Sequence, residues 1–150
     1  MLRKTAAALL IFGLVGCGSR AASPPDREWT ANARGVEHQL REDIVAVSAL
    51  DRPRAARRAL HDDSQLYGLL VSYTDFGGCR HMVAALGAVP ERYRAAQSLL
   101  ERACRDLRTA DALFMRAVSR EDPTLLVRAT SAAVRALSSL DRAQLALRVR

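Results

Sequence analysis

Three histidines and three cysteines carry most of the chain's potential for metal or covalent chemistry. His38, His61 and His81 fall on three different predicted segments, so they could converge, with Glu42, Asp62 and Asp63 as further oxygen ligands. Their spacing argues against a metal centre. No Glu-x-x-His occurs, the pairing used by di-iron bundles, and neither His-Glu-x-x-His nor Cys-x-x-Cys is present. The three histidines are thus weak metal candidates, and no metal or diffusible cofactor is expected. Catalytic signatures are missing too. There is no Gly-x-Ser-x-Gly elbow and no Gly-Lys-Ser/Thr phosphate loop, and no serine has a partner at a telling spacing. Asp75-Phe76-Gly77 matches a kinase tripeptide by letters alone. The expectation is a protein that is not an enzyme.

The most unusual local stretch is Tyr67 to Arg80, which gathers aromatics and glycines in a chain only 5% aromatic. Two readings stand. The segment forms a recognition loop at one bundle end, with Tyr73, Asp75 and Phe76 as its contact residues. Alternatively, it is a helix end whose Tyr and Phe complete the core.

Apolar spacing of three and four predicts helices around these residues. A first helix is expected from about Glu28 to Leu50, with Trp29, Ala33, Val36, Leu40, Val47 and Leu50 on one stripe, Ile44 beside them and Asp43 interrupting it. Pro53 suits the first turn of a second helix running to about Thr74, whose apolar side is Ala56, Leu60, Leu66, Leu70 and Tyr73. His61 to Ser64 could break it, with Asp63 or Ser64 capping a new helix. The paired glycines of Asp75-Phe76-Gly77-Gly78 predict a turn, followed by a short helix over Cys79 to Leu86 and a further turn at Gly87 to Pro90. Two longer seams follow. One takes Tyr93, Ala96, Leu100, Ala103, Leu107, Ala110, Phe114 and Ala117. The other, after Asp122-Pro123, takes Leu126, Ala129, Ala133, Ala136, Leu140, Ala143 and Leu147. Such seams characterise left-handed bundles. Short turns favour antiparallel neighbours. The predicted fold is all-α, an up-down-up-down four-helix bundle with one short extra helix.

The N-terminus reads as an address. Arg3 and Lys4 precede an apolar run of about 12 residues, too short for a bilayer that takes roughly 20. The run ends in Leu14-Val15-Gly16-Cys17. This resembles the lipobox of bacterial lipoproteins. The resemblance covers only the first 17 to 20 residues and implies cleavage before Cys17 and a diacylglyceryl group on its thiol. Two acyl chains suffice for stable membrane attachment. Residues 1–16 would then be the signal peptide, residues 17–27 the lipidated cysteine and a Ser/Pro-rich tether, and residues 28–150 the bundle domain. Ten tether residues reach at most about 35 Å. Gly18, rather than Asp, follows the cysteine, which favours the outer membrane in a two-membrane host; in a single-membrane host the anchor lies in the cell membrane. Export also puts Cys79 and Cys104 where disulfides persist. Their midpoint lies near the Gly87 to Pro90 turn, so folding back pairs them.

The formal charge is +7. Removing Arg3 and Lys4 leaves 21 basic residues, all arginine, against 16 acids, or +5 for the mature chain. Basic balance can serve nucleic acid, anionic lipid or anionic polymer. Export and the absence of interleaved aromatics exclude nucleic acid. Arg54, Arg57 and Arg58 form the densest basic cluster in the sequence, and Arg148 and Arg150 end it. The function expected is that of a membrane-anchored envelope lipoprotein holding a protein partner or an anionic envelope polymer. The alternative is a small-ligand or metal-binding bundle using its interior near His38, His61 and His81.

Overall fold

The computed structural model describes residues 24–148. They form α1 (Pro24–Ser48), α2 (Pro53–Leu60), α3 (Asp63–Ala84), a 3-10 turn at Glu91–Tyr93, α4 (Arg94–Arg120) and α5 (Pro123–Ala146). No strand occurs among the described residues. The four long helices close a ring in which α1 packs on α3, α3 on α4, α4 on α5 and α5 on α1. This is the antiparallel bundle read from the sequence. The one short α-helix among the described residues is α2, not the expected Cys79 to Leu86, and it packs on α3 and α5. The expected signal peptide, Cys17 and the expected tether up to residue 23 lie outside the described residues. α1 begins at Pro24, ahead of the expected start at Glu28.

Helix ends follow local chemistry. Asp122 caps α5, accepting from the Thr124 amide at 2.8 Å and the Leu125 amide at 3.3 Å, with Pro123 in the first turn. Asp62 caps α3 by accepting from the Gln65 amide at 2.9 Å, and the Gln65 side chain returns a bond to it at 3.1 Å. The cap is therefore Asp62, one residue before the two considered from sequence. It supplies the amide acceptor that a helix start lacks.

Both long seams of α4 and α5 are buried along their whole length. The α2–α3 stretch differs from expectation in phase. The break at His61-Asp62 resets the helical register, so α3 buries Leu69, Tyr73, Phe76, Cys79 and Val83 while Leu70 is exposed. The expected turn at Gly77-Gly78 is absent, and Cys79 to Ala84 is the end of α3 rather than a separate short helix. Each glycine costs a helix interior roughly 1 kcal/mol relative to Ala. Burial of Phe76, Cys79 and Val83 on one face outweighs that cost, since each large apolar side chain contributes about 1.5–3 kcal/mol.

The centre of the core is aromatic. Tyr73 stacks on Phe114 with ring centroids 4.2 Å apart and meets Phe76 edge-on at 5.1 Å. Near the start of α1, Trp29 stacks on Tyr93 at 5.4 Å, and Arg92 lies over the Tyr93 ring while pairing with Asp26 at 2.9 Å. On the opposite side of the ring, Arg41 of α1 binds Glu37 and reaches Asp141 of α5, each at 2.8 Å.

Gly77 and Gly78 give separable predictions. A Cβ at Gly77 would lie 2.8 Å from Asp111 Oδ2, whereas one at Gly78 meets nothing within 4 Å. Gly78→Ala is expected to stabilise by about 1 kcal/mol. Gly77→Ala gains less, because Asp111 must first move. Chemical denaturation of the two variants reads the difference, and equal gains would contradict the close approach.

Candidate functional site

Cys79 of α3 and Cys104 of α4 form a disulfide with Cα atoms 5.4 Å apart. Both are buried. Each is followed by an arginine, so the bond sets Arg80 beside the α4 stripe that carries Arg105 and Arg108. The three arginines line one cleft of about 500 Å³ between α3 and α4, with Cys104 in its wall. Among the described residues Glu101 is the only acid lining this cleft, and Gln97 donates to it at 2.9 Å. A second cleft of about 550 Å³ continues along α4 past Arg105 and Arg108 to Thr109, Asp111 and Arg116.

Among the described residues, Arg80, Arg105, Arg108 and Arg116 take part in no ion pair, unlike Arg41 and Arg92. All four are exposed. Free guanidinium groups keep their planar donor forks available for carboxylate or phosphate oxygens. The groove therefore presents donors that suit an anion.

Behind it, α3 passes between two partly or largely buried acids. Asp43 of α1 is 8% exposed and accepts from Gln39 Nε2 at 3.1 Å. Burial pushes its pKa above the ordinary 3.8, the Gln39 bond opposes that shift, and the facing Asp75 carboxyl adds to it. Asp111 of α4 is likewise raised by burial. The interruption of the α1 stripe at Asp43 is thus a contact with α3.

The structure separates the residues singled out from sequence. Tyr73 and Phe76 are fully buried in the middle of α3, so no recognition loop exists there. Tyr73 and Phe76 complete the core, which is the second reading of that stretch, while Tyr67 is exposed and only Gly77 among its glycines lies against a neighbouring helix. Burial holds the Tyr73 phenol up at about 12, with the Thr130 hydroxyl 3.4 Å away opposing that shift. Asp75 is half-buried against Asp43. His38, His61 and His81 are exposed on α1, at the end of α2 and in the last turn of α3, and none lines the interior. His38 pairs with Glu42 at 3.2 Å. Among the described residues no three His, Cys, Asp or Glu side chains gather as metal ligands. Arg54, Arg57 and Arg58 line a separate depression on α2. The α3–α4 arginines escaped the sequence reading because two helices contribute them. Their signal was the repeated Cys-Arg dipeptide.

Two outcomes follow. Closing a loop of about 25 residues contributes roughly 3.5 kcal/mol in the chain-entropy model. Calorimetry with and without reductant is therefore expected to show a lower Tm on reduction, and identical melts would contradict a structural bond. The second concerns pH. A carboxyl raised in the folded state holds more protons folded than unfolded, so its contribution is full below 3.8 and lost as pH rises through its folded value. Asp43→Asn is expected to raise the Tm more at pH 7 than at pH 4. An equal change at both would remove Asp43 as the source.

Comparison with protein-family models, with curated proteins and with solved structures finds no match.

Proposed function

We propose that the chain is a lipid-anchored envelope lipoprotein whose bundle is a non-enzymatic binding module for a protein partner or an anionic envelope polymer. The observation that carries the binding role is the row of arginines on the α3–α4 face with no ion-pair partner among the described residues. Structural arginines in this bundle bond to other helices, as Arg41 does to Asp141 and Arg34 does to the Leu147 carbonyl at 3.0 Å. Arginines gathered without partners raise the folding free energy and fit an external anion.

The anchoring role rests on the lipobox at Leu14 to Cys17. No described helix is long and apolar enough to cross a membrane. The rest of the tether, from Gly18 to Ser23, spans at most about 20 Å before α1 begins, which keeps the bundle close to the bilayer. Two acyl chains there make the attachment stable, at about 0.8 kcal/mol per buried methylene. Exposure of all three histidines disfavours the interior metal site.

Labelled palmitate fed to cells making the full chain is expected to enter the protein, and Cys17→Ser to abolish both labelling and membrane recovery. Mass spectrometry of the mature N-terminal peptide checks the site. An unmodified peptide beginning elsewhere would overturn the anchor.

A further inference from the structure

We propose that the α3–α4 groove is a binding track for an acidic glycan strand, an inference that rests on the envelope-module reading above. Four observations point to that chemistry. The first is length. The two clefts share Arg105 and Arg108 and together run from Gln97 to Arg116, about 28 Å of helix at 1.5 Å per residue. A track of this kind suits an extended polymer better than one small anion.

The second is charge. Arg80, Arg105, Arg108 and Arg116 face the track against only Glu101 and Asp111, and they present forks suited to carboxylate or phosphate groups. The third is the acceptors among them. Glu101 accepts from Gln97 at 2.9 Å and Thr109 donates to the Arg105 carbonyl at 3.1 Å, which leaves the second Glu101 oxygen and the Thr109 lone pairs to accept from a ligand that brings hydroxyl donors as well as anionic groups.

The fourth is what the track lacks. None of the large exposed apolar residues, such as Tyr67, Val71 or Met115, lines either cleft. Protein interfaces concentrate binding in a desolvated apolar core rich in aromatic anchors, which this groove does not offer. Stacking platforms for bases also need aromatic faces, and no aromatic among the described residues lines either cleft. The α2 cluster of Arg54, Arg57 and Arg58 has charge but no such track, which makes it the internal control.

The test uses the full chain purified from cells in detergent micelles and isothermal titration calorimetry at low salt. The probes are an oligogalacturonate, a neutral dextran of similar size and polyglutamate of matched charge. Circular dichroism melts establish that each variant is folded. Oligogalacturonate is expected to bind more tightly than polyglutamate, and dextran not to bind. Arg105→Gln with Arg108→Gln is expected to weaken oligogalacturonate at least about tenfold, the loss of one charge-assisted hydrogen bond or more. Arg54→Gln with Arg58→Gln leaves it unchanged. Equal loss in both double variants overturns the track in favour of diffuse charge. Polyglutamate binding as tightly overturns the glycan in favour of an acidic polypeptide. Labelled Cys17 together with no oligogalacturonate binding overturns the glycan alone and leaves the anchor standing.

Discussion

The Cys79–Cys104 bond is the constraint on which both the α3–α4 packing and the arginine groove beside it depend. It joins α3 to α4 at a point where each cysteine is followed by an arginine. The tie works against like-charge repulsion between Arg80 of α3 and Arg105 and Arg108 of α4. Coulomb repulsion between exposed charges near a protein surface is modest but cumulative, and screening by salt reduces it. The disulfide, the Tyr73–Phe114 stack and the Gly77–Asp111 approach all lie on the same helix pair. Together they hold α3 and α4 in one register while the arginines stay unpaired outside.

The opposite seam is built differently. Between α1 and α5, Arg41 is satisfied by Glu37 and Asp141, and Arg34 by the Leu147 carbonyl. There charge locks helices together. On the α3–α4 face charge is left over. Described arginines outside any ion pair occur on α2 and α5 as well, and the α3–α4 face differs in gathering them along two adjoining clefts. That gathering explains why net charge alone misleads. The densest run in the sequence, at Arg54 to Arg58, is a local helix face, whereas the groove is assembled from positions 25 residues apart.

The long helices α4 and α5 were legible because every seam position repeats at three or four and no glycine interrupts them. Asp122-Pro123 marked their junction through cap chemistry that acts within three residues. The Cys79–Cys104 pairing was legible from the folding-back of α3 onto α4. The middle of the chain was not. Gly77-Gly78 carries a local preference for a turn, yet Phe76, Cys79 and Val83 bury one continuous face, and tertiary burial overrides propensity. A single apolar register drawn across His61-Asp62 also failed, since a break of two residues rotates the next helix and moves Leu70 outward. The arginine groove was illegible for a related reason: it exists only once α3 and α4 are side by side.

Site-specific photo-crosslinking in intact envelopes tests the central claim most directly. A benzophenone side chain is placed at Ala84 or Ala112, which line the two clefts, and at Val134 on the exposed face of α5. The account predicts that illumination attaches envelope material at Ala84 and Ala112 and not at Val134, and that Arg105→Gln with Arg108→Gln abolishes it. Attachment at Val134 alone, or attachment indifferent to the arginines, would contradict it.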